Sequence, residues 1–444
     1  MMPRLAKPPT PRALLPLALA LCSLLVPLGA GAEGARAATP GASLYPAGAT
    51  RPRFLARPSE FASAAAARSS RAPAAHSAAR RRRAKRKPRK PLLHGNPARA
   101  LLAFQAMQSR YYLQGSGLYA GEPFSYLWPF SQALAATVSL AYVPHLPVSF
   151  ARELHARMIG LRSYLDTDNS GASEGTFTST LAAFDGTVAP PAGPGGTKYY
   201  DDNDWVGIEL MRAYKLTHDP SVLGSAEALM AFEMAGWAGN PQLPCPGGIP
   251  FSNDAENTDR NTVTTAPAAE LAVQLYRATG NVQYLQFAEM AYEWVRRCLL
   301  QPSGLYADHI DAHGKVETTL WSYGQGTMIG AGTLLYQATG NGAYLYQARQ
   351  TARAALAYFT PEQLGSEIPF FPAVYFRNLL YLDSVTHDPP GAKLAQSYVD
   401  YAWQHLRLTN NLFVAGSPAA AQLLVQAAIV QIYALLSSPA SSYF

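Results

Sequence analysis

A helical hairpin recurs along this 444-residue chain from residue 96 onward. The segment Leu275–Asn281 reads LYRATGN, the segment Leu335–Asn341 reads LYQATGN, and a Tyr-Leu pair follows each after two further residues. Looser copies with the sequence THDP stand at Thr217–Pro220 and Thr386–Pro389. One helix stops at the Thr-Gly or Thr-His step, and Asn or Asp caps the next helix, so each copy forms a tight turn. The repeat therefore predicts a series of helical hairpins.

Apolar residues at three- and four-residue spacing predict about twelve helices, and no strand-like alternation of any length competes with them. Six hairpins suffice to complete a ring. The predicted fold is therefore all-α, an (α/α)6 barrel or six-hairpin toroid over residues 96–440, and an open solenoid is the alternative. The predicted helices lie near residues 97–113, 125–143, 148–165, 203–217, 219–235, 263–279, 282–300, 323–338, 341–359, 371–385, 391–406 and 417–437.

The N-terminal region has the features of an export signal followed by a linker. Arg4, Lys7 and Arg12 precede an apolar run over residues 13–28, and Ala-Gly-Ala follows at residues 30–32. This pattern predicts a signal peptide over residues 1–32 and a secreted or extracytoplasmic protein, with an uncleaved membrane anchor as the alternative. Residues 33–95 are rich in Ala, Pro, Arg and Ser, and we expect them to form a disordered basic linker.

The net charge of +7 is divided unevenly along the chain. Residues 1–95 hold 18 Lys and Arg against Glu33 and Glu60, whereas residues 96–444 carry a net charge of −9. A nucleic-acid function of the main domain therefore finds no support. Behind an export signal, the basic run at residues 80–87 predicts electrostatic association with an anionic envelope, and a merely solvated charge run is the alternative.

Three cysteines restrict the covalent chemistry. Only Cys245 and Cys298 remain if the export signal is removed, so at most one disulfide can form, and the sequence leaves open whether it does. No Cys/His spacing resembles a zinc site, and we expect no metal.

The long connections between hairpins carry the unusual residues. Each such connection leads into an even-numbered helix of this series, and the symmetry of the repeat predicts that they converge at one mouth of the barrel. The connections contain Tyr126–Trp128, Tyr199–Trp205, Arg260–Thr262, Trp321–Gln325 and Phe370–Arg377.

Two adjacent aspartates, Asp201 and Asp202, stand at a predicted helix start beside the aromatic residues Tyr199, Tyr200 and Trp205. Helix capping explains one aspartate, and is the preferred interpretation of the later Asp204, but it does not explain the aromatic neighbours. Retaining glycoside cleavage requires two carboxyl groups about 5–5.5 Å apart, which adjacent residues can supply. Because two close like charges cannot both ionise easily, one carboxyl would attack while its protonated neighbour serves as the acid.

The stretch Tyr200–Trp205, YDDNDW, resembles the signature of glycoside hydrolase family 76, the endo-α-1,6-mannanases. The resemblance covers most of residues 97–435. Further stretches are similar to family motifs and occur in the same order. They are CPGGI at residues 245–249, RN at 260–261, GLYAD at 304–308, WSYGQG at 321–326 and FRNL at 376–379.

The resemblance implies an (α/α)6 barrel and retaining hydrolysis of α-1,6-mannosidic bonds in an α-mannan-type polysaccharide, without metal or organic cofactor. By position it makes Asp201 the nucleophile and Asp202 the acid/base. We expect the enzyme to act as a monomer. The expected sugar contacts are Trp128, Tyr200, Asn203, Trp205, Asn261, Trp321, Tyr323, Gln325 and Arg377.

Three positions depart from the family pattern. Pro250 and Phe251 stand where tryptophan is usual, Gly324 replaces an asparagine, and Thr265 replaces another. These changes predict altered sugar subsites. They motivate a second hypothesis, a non-catalytic glycan-binding toroid associated with the cell envelope. Another (α/α)6 enzyme, such as an epimerase or an unsaturated uronyl hydrolase, is less favoured, because such epimerases rely on histidines that this mouth lacks.

Overall fold

The computed structural model describes residues 93–167, 181–415 and 422–444. The predicted signal peptide (residues 1–32) and nearly all of the predicted linker (residues 33–92) lie outside the described residues. The helices are α1 (Gly95–Tyr111), α2 (Leu127–Ala141), α3 (Ala151–Leu161), α4 (Tyr200–Thr217), α5 (Pro220–Ala235), α6 (Thr262–Thr279), α7 (Val282–Leu299), α8 (Ser322–Thr339), α9 (Gly342–Tyr358), the short α10 (Pro361–Ser366), α11 (Phe370–Thr386), α12 (Pro390–Tyr401) and α13 (Leu423–Leu435).

Six of these helices form a closed inner ring. Contacts run from α2 to α4, α6, α8, α11 and α13 in turn, and α13 packs back against α2. The other long helices, α1, α3, α5, α7, α9 and α12, lie outside this ring and pack against it. The predicted (α/α)6 barrel is therefore confirmed, and closure of the ring excludes the open solenoid.

Burial distinguishes the two layers. Every residue of α13 is buried, as are the first fourteen residues of both α6 and α8. The outer helix α7 instead buries one stripe, which includes Phe287, Tyr292 and Trp294. A helix enclosed on all sides tolerates apolar residues around its whole circumference, whereas an outer helix is amphipathic. Polar residues on the inner helices consequently require a specific explanation.

The tight turns lie at the C-terminal ends of inner helices. His218, Gly280, Gly340 and His387 end α4, α6, α8 and α11 in the left-handed conformation, with φ of 53°, 73°, 72° and 56°. The side chains of Asp219, Asn281 and Asn341 then accept a backbone N–H of the following helix. The predicted turn chemistry is thus confirmed for these three hairpins, and the long connections lead to the N-terminal ends of the inner helices.

Short strands occur within the long connections. Strands β1 (Leu165–Asp166) and β2 (Ala183–Phe184) pair antiparallel ahead of α4. Strands β3 (Arg260–Asn261), β4 (His309–Ile310) and β5 (Val316–Glu317) form a three-stranded antiparallel sheet in the order β3-β4-β5. None of the helices within the described ranges combines the length and the apolarity that a membrane span requires.

The question left open by the cysteines is answered by a disulfide between Cys245 and Cys298, which are 53 residues apart in sequence. It fastens the connection ahead of α6 to the end of α7. Nearby, Arg260 Nη1 and Trp294 Nε1 donate to the Cys245 carbonyl.

Removing this disulfide should lower the free energy of unfolding substantially. Closing a loop of 53 residues stabilises a folded chain by about 4 kcal/mol, mainly because it restricts the unfolded state. We expect urea unfolding of Cys245→Ala/Cys298→Ala to show a loss of this order, and dithiothreitol to destabilise the wild type but not the variant. Equal sensitivity of both proteins to reductant would contradict the assignment.

Candidate active site

Aromatic rings from four inner helices meet at the end of the barrel where the long connections lie. The Phe370 ring at the start of α11 lies 5.3 Å from the Trp128 ring of α2, centroid to centroid. It lies 5.6 Å from the Trp205 ring of α4 and 6.5 Å from the Tyr323 ring of α8. The predicted convergence of the connections at one mouth is therefore observed for these helices.

Asp201 and Asp202 occupy the first turn of α4 at this mouth. Asp201 precedes Trp205 by four residues, so both side chains lie on the same face of the helix. Asp202 is 6% exposed and lies near Tyr164, whose pKa its charge helps to raise. Asp202 thus sits in a largely dehydrated position, and Asp201 is partly buried in the same turn.

The two carboxyl groups differ in protonation behaviour. Burial raises the pKa of Asp201 to about 7, while the backbone N–H groups of Asp202 and Asp201 itself act in the opposite direction. Burial followed by the charge of Asp201 raises the pKa of Asp202 well above its ordinary value. Asp201 therefore ionises first and Asp202 keeps its proton. A nucleophile must be ionised and a neighbouring acid must be protonated, so these states suit the two roles.

A buried ion cluster holds the segment that leads into α4. Lys198 Nζ lies 2.7 Å from Asp166 Oδ2 and 3.5 Å from Asp185 Oδ1, and all three side chains are no more than 1% exposed. The Lys198 backbone N–H donates to Asn253 Oδ1. This cluster ties β1 and the residues after β2 to the segment just before Asp201. It was missed from the sequence, where the three residues stand far apart in unremarkable contexts.

Within the described residues, no group of three or more His, Cys, Asp or Glu side chains is arranged to hold a metal ion.

Comparison with known families agrees with the geometry of the mouth. Residues 100–381 match the family model described as glycosyl hydrolase family 76. The chain belongs to glycosyl hydrolase family 76. The resemblance seen in the sequence is thereby confirmed.

The individual relatives share low sequence identity with this chain. A mannan endo-1,6-alpha-mannosidase of Saccharomyces cerevisiae is 26% identical over 184 residues, which cover 38% of this chain and 40% of that protein. The match thus spans less than half the length of this curated relative. A family 76 α-mannanase structure from Bacteroides thetaiotaomicron superposes with a TM-score of 0.68 at 20% identity, covering 78% of this chain and 96% of that one.

A second similar structure is an inactive variant of an alpha-1,6-mannanase from Salegentibacter sp., in which two consecutive aspartates are replaced by asparagine. It was solved in complex with α-1,6-mannotriose. It superposes with a TM-score of 0.62 at 21% identity and covers 77% of this chain and 99% of that chain. At such identities the likeness to solved structures establishes the shared fold.

The predicted sugar contacts of this family 76 chain separate into two groups, and the first lines the mouth. Besides the three rings that surround Phe370, Trp321 lies 5.3 Å from Phe371. Asn261 of β3 is 7% exposed, and its side-chain Oδ1 has no hydrogen-bond partner among the described residues. These residues remain candidates for contact with a sugar.

The second group is enclosed by protein, and Asn203 and Gln325 are its clearest members. Asn203 Oδ1 accepts the Phe184 backbone N–H, and its Nδ2 donates to the carbonyls of Phe184 and Tyr199. Gln325 makes the same arrangement with the backbone of Tyr306 and with the Trp321 carbonyl. Both amides are the fourth residue of an inner helix, and both pin the preceding connection to it.

The same position is used in two other units. Thr265, the fourth residue of α6, accepts the Ile249 backbone N–H through its hydroxyl at 3.0 Å. Gln426, the fourth residue of α13, accepts the Phe413 backbone N–H at 2.9 Å. The prediction that Asn203 and Gln325 contact sugar is therefore corrected: their polar atoms are engaged in holding loops, as is the hydroxyl of Thr265.

Tyr200 and Arg377 are also enclosed by protein. Tyr200 is fully buried and stacks on Phe232 of α5 at 4.5 Å between ring centroids. Arg377 stands two turns below Phe370 and is 5% exposed, with Nη1 donating to Glu209 Oε1 at 2.8 Å. Their predicted role as sugar contacts is corrected to one in packing and in an interior ion pair, respectively.

Replacing Gln325 should distinguish a role in holding the preceding connection from a role in binding sugar. We expect Gln325→Leu to lower the free energy of unfolding by about 3 kcal/mol, because the Tyr306 N–H and carbonyl lose their partners in a buried position. The measurement is urea unfolding, with Gln350→Leu on the outer helix α9 as the control. A variant of wild-type stability with weakened sugar binding would restore the original interpretation.

Proposed function

We propose that this protein is a retaining α-1,6-mannanase that cleaves within the polysaccharide chain, with Asp201 as nucleophile and Asp202 as acid/base. The observation that carries the proposal is the pair of adjacent carboxyl groups in the first turn of α4 at an aromatic mouth, where burial raises the pKa of both. The Salegentibacter structure supports the choice of substrate, because that protein binds α-1,6-mannotriose when its two consecutive aspartates are replaced.

The chemistry follows from the two protonation states. The Asp201 carboxylate attacks the anomeric carbon while the Asp202 carboxyl gives its proton to the glycosidic oxygen, so the C–O bond to the leaving sugar breaks as the glycosyl ester forms. Water then attacks the same carbon, the ionised Asp202 accepts a proton from that water, and the ester bond to Asp201 breaks. Two inversions leave the product with the anomeric configuration of the substrate.

The sugars would bind along the aromatic wall. Trp128 and Trp321 are partly exposed and offer flat apolar faces, and pyranose rings present apolar C–H faces to such surfaces. Trp205 and Tyr323 lie deeper in the same wall, at 3% and 8% exposure. The indole N–H groups of Trp128 and Trp205 and the Oδ1 of Asn261 are buried and have no partner among the described residues. Phe251 and Gly324 alter this surface relative to the family pattern and would shape which branches the mouth accepts.

Turnover of a defined polymer tests the proposal. We expect purified protein to release reducing sugar from unbranched α-1,6-mannan, and proton NMR during the reaction to show the α-anomer as the first product. A panel of α-1,2-, α-1,3- and β-1,4-mannans provides the control for linkage. Binding of mannan by calorimetry without any product would favour the glycan-binding toroid, and a first-formed β-anomer would contradict retention.

Export would place the activity outside the cytoplasm. The apolar run at residues 13–28 with its small-residue cleavage site supports this location, as does a disulfide of the kind that persists in oxidising compartments. Mass spectrometry of the mature protein should find an N-terminus near residue 33. A mature chain that still begins at residue 1 would indicate an anchor instead of a cleaved signal.

A further inference from the structure

Carboxyl groups without donors lie together beneath the mouth. Asp201 Oδ1, both oxygens of Asp204 and both oxygens of Glu233 are buried and have no hydrogen-bond partner among the described residues. Asp204 and Glu233 are fully buried. A buried carboxylate oxygen without a donor is costly, so the arrangement calls for hydrogen atoms between these groups.

The packing of α4 on α5 brings the three residues together. The ring stack of Tyr200 on Phe232 sets the start of α4 against the end of α5. Gly236 permits this approach, because a Cβ there would lie 2.5 Å from the Tyr200 ring. Asp201 and Glu233 each follow one member of that stack, and Asp204 stands one helical turn after Asp201 on the same face.

The electrostatic neighbours of the pair are acidic. Glu233 of α5, then Asp201 of the same helix, then Glu270 of α6 add to the effect of burial in raising the pKa of Asp204 well above its ordinary value. Burial followed by the charge of Asp201 does the same for Glu233. The nearest guanidinium to Glu270, that of Arg377 on α11, is already paired with another acid. Among the described residues, the charged groups that shift the pKa of Asp204 and Glu233 are all acidic.

We propose that Asp204 and Glu233 stay protonated and act as positioning residues, with the Asp204 hydroxyl donating to Glu233 and the Glu233 hydroxyl donating to the buried Oδ1 of Asp201. This chain of donors gives a partner to the buried Oδ1 of Asp201, to both oxygens of Glu233 and to the protonated oxygen of Asp204. It holds the Asp201 carboxylate in one orientation and favours its ionised form, as hydrogen bonds to a charged group do. Its kinetic consequence rests on the proposed function, but the protonation itself does not.

Infrared spectroscopy tests the protonation without any substrate. At pH 7 the full chain should show the carbonyl band of protonated carboxylic acids, to which Asp202 and Glu270 also contribute. Glu233→Gln and Asp204→Asn should each remove part of its intensity, since each replaces one acid by a near-isosteric amide. A band that is unchanged in both variants overturns the proposal, and this holds even for a protein that does not cleave mannan.

Rate profiles test the positioning role. The acid limb of kcat/KM reports the ionisation of Asp201 in the free enzyme. We expect this limb below pH 7 in the wild type and displaced upward by about one pH unit in Glu233→Leu, a roughly tenfold loss of rate on the acidic side, because the donor is gone. Glu233→Gln keeps an N–H donor and should shift the limb far less.

Glu227→Leu on the same helix is the matched control, because it removes a partly exposed carboxyl that lies away from the pair. Its acid limb should coincide with that of the wild type. The positioning role would be overturned if the acid limb of kcat/KM were the same in Glu233→Leu and in the wild type. Equal shifts of this limb in Glu233→Leu and Glu233→Gln would overturn it as well. The infrared comparison uses only Glu233→Gln and Asp204→Asn. It therefore tests whether Glu233 and Asp204 are protonated even where Glu233→Leu does not fold.

Discussion

Asp201→Asn and Asp202→Asn should each lower kcat on α-1,6-mannan by roughly 10³-fold or more, because one removes the nucleophile and the other the proton donor. The two variants should differ on a substrate with a good leaving group. Such a substrate needs no protonation, so Asp202→Asn should form the glycosyl ester at a useful rate and then stall. Asp201→Asn should remain inactive. Pre-steady-state release of the leaving group measures this difference.

Stability provides an independent measurement on the same variants. Burial raises the pKa of Asp201 from 3.8 to about 7, so the folded protein binds a proton that the unfolded chain has released between these values. The folded state is therefore penalised as the pH rises through this window, and the penalty is fully present above pH 7. Asp201→Asn should consequently unfold at a higher temperature than the wild type at pH 8, with little difference at pH 4.

Asp388→Asn serves as the control, since Asp388 is exposed in a tight turn at the opposite end of the barrel. Its activity and its unfolding temperature should match the wild type at both pH values. Full activity in both Asp201→Asn and Asp202→Asn would end the assignment of these residues, whatever the stability data show.

Much of the fold was predictable because its signals are local. The Thr-Gly-Asn steps specify a left-handed helix end and a capped start within a few residues, and Gly280 and Gly340 adopt that conformation. The inner-ring order then follows from the repetition of one unit. The Cys245–Cys298 bridge had no such signal, because the distance between two cysteines 53 residues apart depends on the whole toroid.

The candidate site was predicted in part. Asp201, Asp202 and the aromatic rings reach the mouth because they stand at or near the first turn of an inner helix. Asn203 and Gln325 stand in the same turn, but they point to the preceding connection. A sequence gives the position of a residue along a helix more readily than the neighbour it faces. Acids such as Glu233 were missed, although a charged residue in an otherwise apolar helix is a usable signal.

At pH 9, Arg377→Met should lower the free energy of unfolding by about 3–5 kcal/mol, because it leaves buried carboxylates without their cation. Arg377 Nη1 lies 2.8 Å from Glu209 Oε1, and Nη2 lies 3.9 Å from Glu270 Oε2. Its guanidinium also stacks over the Phe444 ring at 5.0 Å from the centroid. Arg212 remains at 2.7 Å from Glu209 Oε2, so the unpaired charge in the variant falls mainly on Glu270.

The pH dependence of this loss of stability, together with a second substitution, tests whether the unpaired charge of Glu270 causes it. Glu270 has a pKa of about 8, raised by burial and held down by Arg377, so the loss in Arg377→Met should be smaller at pH 6, where Glu270 is protonated, than at pH 9. Adding Glu270→Gln should recover part of the stability. Urea unfolding measures both effects, with Arg349→Met on the outer surface of α9 as the control. If Arg377→Met instead unfolds like the wild type and only raises KM for mannan, then Arg377 reaches the sugar after all and the interior ion pair is dispensable.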